Sequence, residues 1–319
     1  MNKLTIAVAT ATVAAFGAPA LAQTSALPAS IEVVVPFAQG GGTDQVGRAF
    51  AEFARPHLDA DTFVANRAGG SGAIGFRYGA DGPQDGSVIT MLVTTLTTAP
   101  HTIDGYPVSY SDFEPICLIS APPVALSVQA GAGIASLDDL VAEAEARGRT
   151  MTFGTAGPGS YTHLAGVAFT LAAGIEGRFV PHSGSQPALT ATYGGHIDVA
   201  LSEAAEALPW AEDGRLNVLA IFAGSRFGAL PDVATAAEQG YDVDVGAFRG
   251  LGAPRGTPAP VMDALIEGCR ATTEDPEFIA HMGNLGVEVD PLFGADFGQW
   301  LAGQHETFAR AAAEAGLGQ

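Results

Sequence analysis

Short apolar runs rich in Val, Ile, Leu and Phe alternate along the chain with stretches whose apolar residues recur every three or four positions. That alternation of strand-like and helix-like periods is the mark of an α/β fold. Residues 31–37 (IEVVVPF) read as a buried strand and 39–43 as a glycine turn. A helix follows in which Val46, Ala49, Phe50 and Phe53 share one face, and Arg55-Pro56 is expected to end it. Further strands are expected at 62–64, at 88–93 continuing through Thr94 and Thr95, at 116–119 and at 124–128. The unit then repeats, with strands at 151–154, 179–181, 197–201 and 216–221. Helices start near Ser136, Tyr161 and Glu203, and another ends near Tyr193. After a strand at 248–251, three helical segments near 259–274, 276–285 and 294–315 close the chain. The pattern predicts two α/β lobes, one from 23–124 together with 246–319, the other from 125–245. A chain that crosses twice between lobes makes a hinge, and the cleft between the lobes is the expected ligand site.

The N-terminus changes where such a molecule is placed. A basic start (Lys3) leads into an apolar run over 4–18, and Ala20-Leu21-Ala22 supplies a small-residue cleavage pattern before Gln23. This is the form of a secretory signal peptide over 1–22, too short for a spanning helix. Export to the periplasm is expected, and no cysteine near position 20 offers a lipid anchor. Lys and Arg number 14 against 34 Asp and Glu, a net charge of −20, and removing Lys3 leaves 13 − 34 = −21. Such a charge argues against nucleic acid and anionic lipid as partners, and the chain is expected to be a monomer. In an oxidising compartment Cys117 and Cys269 can form a disulfide, or both can serve as buried thiols. The seven histidines form no close pair at metal-ligand spacing, and no metal or cofactor is expected.

Four loops share one design, a strand end followed by Gly and small hydroxyl residues and then a helix start: 37–44 (FAQGGGTD), 66–72 (NRAGGSG), 155–160 (TAGPGS) and 182–185 (HSGS). Helix N-termini expose unpaired N–H groups and partial positive charge, and glycine lets the backbone approach a ligand. Loops of this kind around one cleft suit anions without needing a basic patch; taken singly they are ordinary βα turns. Residues 70–75 match G-x-G-x-x-G, but no acidic residue ends the next strand to hold a ribose. No G-x-S-x-G elbow is present. Ser160 and His163 fit a helix cap and a cleft- or loop-facing ring better than a triad with Asp198. No enzyme is therefore expected. Asp44 fits a first-turn residue that complements the helix dipole, or one that orients the loop or meets a ligand cation. Arg249 lies where the chain returns to the first lobe, within reach of the cleft.

These motifs, in this order, resemble the Bug-type solute receptors, the periplasmic substrate-binding proteins of tripartite tricarboxylate transporters. The opening 31–44 (IEVVVPFAQGGGTD) is similar to that family's VVPFxxGGxxD, and 66–75 (NRAGGSGAIG) to its NRPGAGGxIG loop. Asp85-Gly86, 112–115 (DFEP), 136–140 (SLDDL), 153–159 with His163, 180–185 (VPHSGS), 230–233 (LPDV) and 253–258 (APRGTP) follow in family order. The resemblance implies a type II periplasmic binding fold that closes on a small carboxylate, a di- or tricarboxylate, and delivers it to large and small membrane subunits. A periplasmic carboxylate sensor that signals to a membrane protein is the alternative. The resemblance places first-lobe contacts at Gly41, Gly42, Thr43 and Ser71 with Phe37 as a wall, and second-lobe contacts at Thr155, Gly159, Ser160, His163 and Ser183. Asp44, Gly72, Thr95, His182, Ser202 and Arg249 complete the candidate set. The chain departs from the pattern at Ala68, at His182 where Tyr is common, and at Ser202 where many members carry Asp. Loss of that carboxylate argues against a ligand bearing an ammonium group.

Overall fold

The computed structural model describes residues 27–146 and 150–317, so the signal segment 1–22 lies outside the described residues. The first strand, β1 (Ser30–Val35), is followed by α1 (Gly42–Leu58), β2 (Asp61–Asn66), α2 (Ala73–Ala80), β3 (Val88–Val93), α3 (Thr95–Thr102) and β4 (Phe113–Ser120). The second group comprises β5 (Val124–Gln129), α4 (Leu137–Ala146), β6 (Met151–Thr155), α5 (Tyr161–Ala173), β7 (Gly177–Pro181), α6 (Ser185–Tyr193), β8 (Val199–Glu203), α7 (Ala204–Glu212) and β9 (Leu216–Phe222). The chain then returns through β10 (Arg249–Pro254) and closes with α8 (Ala259–Thr273), α9 (Pro276–Asn284) and α10 (Gly294–Glu314).

Two five-stranded sheets result, ordered β2-β1-β3-β10-β4 and β7-β6-β8-β5-β9. In the first, β1 pairs in parallel with β2 and β3, while β10 runs antiparallel to β3 and β4. In the second, β6 is parallel to β7 and β8, while β5 is antiparallel to β8 and β9. Each sheet is covered on both faces, which is why its strands read as continuous apolar runs. On the first sheet, Phe50 of α1, Leu265 of α8 and Phe278 of α9 fill one side, and Phe76 of α2, Leu96 of α3 and Phe297 of α10 the other. Phe153, Leu164 and Phe169 form the larger core of the second sheet, and Leu189, Ala204 and Ala207 the smaller. Helix α10 serves both bodies: Phe297 and Leu301 pack in the first, while Phe308, Ala311 and Ala312 pack in the second.

The local expectations need two corrections. Helix α1 does not stop at Arg55-Pro56 but runs to Leu58; Pro56 falls in its last turn, where one missing N–H and one ring are tolerated by a helix already anchored on Phe50 and Ala54. The third strand ends at Val93, and Thr95 begins a helix instead of prolonging it. Four threonines and Pro100 give that segment poor helix propensity, yet burial of Leu96 and Ala99 overrides it. Cys117 on β4 and Cys269 on α8 are joined in a disulfide, their Cα atoms 6.6 Å apart and 152 residues apart in sequence. The bond ties the chain before the first crossing to the chain after the second.

Candidate functional site

The two crossings, 121–123 and 223–248, place the ends of the two sheets face to face. A cavity of about 510 Å³ lies there, bounded by Gly42 and Gln45 at the start of α1, the crossing residues Ala121, Pro122 and Pro123, Glu203 and Ala205 at the start of α7, and Arg249. The loops 223–229 and 283–290 form its outer wall. Arg249 opens β10, and its side chain is only 19% exposed. Its guanidinium lies over the first turn of α1, close enough that a Cβ on Gly42 would sit 3.4 Å from Nη2. Across the cleft, Glu203 Oε1 is 4.0 Å from Nη2, and no hydrogen bond joins the guanidinium to any described residue.

Glu203 occupies the junction between β8 and α7. Its carboxylate caps α7 in a reciprocal box with Glu206, whose Oε2 accepts from Glu203 N at 3.3 Å. Tyr161 Oη donates to Glu203 Oε1 at 3.1 Å. Burial raises the Glu203 carboxyl above the usual carboxylate range, with Arg249 opposing that rise. Tyr161 is pushed up by burial and by the neighbouring Glu203 and Glu206 charges. The second body therefore presents an acceptor to the cleft, while the first presents a guanidinium and a helix N-terminus.

Of the candidate residues read from the sequence, Gly42 and Arg249 line this cavity and the others do not. Asp44 is 1% exposed and accepts from Gly40 N (2.8 Å), Arg48 Nε (2.9 Å) and Asn66 Nδ2 (2.8 Å). Burial pushes its carboxyl up, but those hydrogen bonds outweigh it and hold the group below the usual range. Since Asn66 also donates to Phe37 O, Asp44 orients the whole loop that carries Gly41 and Thr43. Phe37 packs edge-on against Phe76 and closes over Gly72. Ser71 adopts φ 53°, a left-handed conformation that few side chains accept, and its carbonyl accepts from Tyr106 Oη. Thr95 is half-buried at the start of α3.

In the second body Thr155 is buried at the end of β6, its carbonyl accepting from His182 N at 2.9 Å. Ser160 caps α5 by accepting from His163 N and donates to Gly157 O. His163 Nδ1 accepts from Gly159 N at 3.1 Å, its ring stands edge-on to Phe179, and burial lowers its pKa. That ring faces its own loop. Gly159, at φ 69°, abuts the first body, where a Cβ would lie 3.3 Å from Thr102 Cβ. Ser183 is exposed, whereas His182 Nε2 is buried with no hydrogen-bond partner among the described residues. Ser202 is buried and donates to Glu203 O. Ser202 brings no carboxylate to this strand end, but Glu203, one residue later, lines the cavity and supplies one. The signal for it, an acidic residue closing an apolar strand and opening a helix, stands in the sequence at 197–204.

Comparison with known proteins agrees with this architecture. Residues 46–313 match the model of the tripartite tricarboxylate transporter family receptor. A UPF0065 protein of Agrobacterium vitis, from the TAR-I ttuE-ttuC' intergenic region, is 31% identical over 304 residues, 93% of this chain and 87% of that protein. Among solved structures, a TctC solute-binding protein from Polaromonas superposes with a TM-score of 0.85 at 29% identity, covering 89% of this chain and 98% of the other. An R. palustris protein with adipate superposes with a TM-score of 0.65 at 26% identity, covering 91% and 98% of the two chains. The sheets, the double crossing and the cleft are those of a two-lobed periplasmic binding protein, and the chain belongs to the tripartite tricarboxylate transporter receptor family.

Proposed function

We propose that this chain is an extracytoplasmic receptor that captures a small carboxylate, a di- or tricarboxylate, by lobe closure and hands it to the membrane subunits of a tripartite transporter. In this reading the signal segment 1–22 is removed and the mature chain works in the periplasm as a monomer. One lobe is built from 23–124 with 246–319 and the other from 125–245, except that the C-terminal part of α10 packs on the second lobe. Arg249 carries the reading. A guanidinium that is four-fifths buried, sits beside the positive end of α1 and makes a 4.0 Å ion pair with Glu203 but no hydrogen bond to any described residue still gains from an anion that satisfies its N–H groups. A carboxylate matches the guanidinium fork with two parallel hydrogen bonds. On closure, the hydroxyl groups of the other candidate loops, those of Thr43, Ser71 and Ser183, meet the remaining polar groups of the ligand. A ligand drives closure only by binding the closed form better than the open one, which contacts from both lobes provide. Native mass spectrometry of the mature chain, purified without refolding, tests this reading. A bound organic acid is the expected mass increment; a bound cation or neutral solute in its place removes the carboxylate assignment.

A further inference from the structure

The Glu203 carboxylate has no place in a site built only for anions, and its position suggests what else the ligand carries. Its Oε1 atom lies 4.0 Å from the guanidinium on which a ligand carboxylate would seat. A carboxylate has about four acceptor positions. Tyr161 Oη takes one on Oε1, the α7 cap takes another, and the residue still lines the cavity. A plain carboxylate on Arg249 therefore faces a second carboxylate with no proton between them. A ligand with an N–H or O–H on the carbon next to its carboxylate instead places a donor where Glu203 accepts. We propose that Glu203 is the specificity-determining residue of the cleft and selects carboxylates bearing a hydroxyl or ammonium group on the adjacent carbon. This inference rests on the carboxylate-receptor reading and narrows it. The charged and titratable groups that act on Glu203 are Tyr161 from α5, Glu206 from α7 and Arg249 from β10, and Arg226, Glu288 and Asp290 line other parts of the same cavity. Burial favours protonation of Glu203 as pH falls, and a protonated Glu203 donates to the ligand carboxylate itself. Discrimination should then shrink in acid.

The test is isothermal calorimetry on the full mature chain with butanedioate, 2-hydroxybutanedioate and 2-aminobutanedioate. At about pH 7.5 at least one substituted acid should bind about tenfold or more tighter than butanedioate, the scale of one hydrogen bond to a charged group. In Glu203→Gln, which keeps an acceptor for the α7 cap, the ratio should fall to within about threefold because the amide can donate to the plain acid. Tyr161→Phe, which leaves the carboxylate with one more open acceptor position, should keep the preference or enlarge it. Equal affinities in the native chain, or a ratio unchanged by Glu203→Gln, overturn the inference while leaving the receptor reading intact. Should Glu203→Gln not fold, Glu203→Ser, which keeps a cap for α7, reads the same ratio, and a ratio unchanged there overturns the inference equally. A panel in which no acid binds removes both.

Discussion

Gly42→Asp should strengthen the fold while abolishing capture of the ligand. Gly42 opens α1, and a Cβ there would lie 3.4 Å from Arg249 Nη2 and 4.0 Å from Nε. An aspartate at this position carries its carboxylate onto the guanidinium and takes the place argued for the ligand. Opposite charges about 4 Å apart interact by about 4 kcal/mol at an effective dielectric of about 20. Desolvation and side-chain ordering reduce this to a net of about 1–2 kcal/mol for a partly buried pair. An acidic residue in the first turn of a helix adds about 0.3–1 kcal/mol. A gain of this size should raise the melting temperature by a few degrees, at about 2–4 °C per kcal/mol for a large domain. Binding should fall by more than about a hundredfold, since two charge-assisted hydrogen bonds are lost at about 1.5–3 kcal/mol each. Gly42→Ala, which brings only a methyl group to ordinary contact distance, should stay within a few-fold of the native affinity. Differential scanning calorimetry and ligand titration on the same preparations decide it. An aspartate variant that binds with native affinity would refute the placement of the anion at α1 and Arg249.

Two further outcomes follow from the structure. Replacing both cysteines (Cys117→Ala with Cys269→Ala) opens a loop of 152 residues, and the chain-entropy model predicts a loss of about 5 kcal/mol; urea denaturation should show most of it, and an unchanged midpoint would contradict the account. His101 Nε2 lies 3.2 Å from His305 Nδ1 at the contact of α3 with α10, and both pKa values are lowered, His101 by burial and then by the charge of His305, and His305 by burial against an opposing Glu306. Because the folded state holds these rings neutral, their stabilisation is present above the unfolded value of about 6.5 and is lost as pH falls through the folded values. The melting temperature should therefore drop between about pH 7.5 and pH 5.5, less steeply in His305→Gln, and a profile that rises on acidification would contradict this.

Much of this architecture is legible in the sequence because strands buried on both faces cannot hide their apolar runs. The runs at 31–37, 88–93, 116–119, 197–201 and 216–221 became paired strands, with β1 ending at Val35 and β8 beginning at Val199. Gly42 and Arg249 were both readable, one from a glycine-rich strand end and one from the return crossing. Their approach across more than 200 residues was not, since it depends on β10 inserting between β3 and β4. The disulfide was legible only as two cysteines for the same reason. Helix α3 was missed because its threonines signal strand, and only tertiary burial of Leu96 makes it a helix. Glu203 was passed over in favour of Ser202 because alternation along β8 continues one residue further than the apolar run, which turns Ser202 inward and leaves Glu203 at the cavity.

The central claim, a carboxylate held by Arg249 between the lobes, is tested most directly by thermal shift of the native chain and of Arg249→Leu against matched mono-, di- and tricarboxylates and their uncharged amides at fixed ionic strength. At one hundred times its dissociation constant a ligand stabilises the native state by about 2.7 kcal/mol, which for a chain of this size is a rise of roughly 5 °C or more. The account predicts that rise for a di- or tricarboxylate on the native chain, a smaller one for monocarboxylates, none for the amides and none for any acid on Arg249→Leu. A full shift retained by Arg249→Leu, or amides that act as well as their acids, would contradict it.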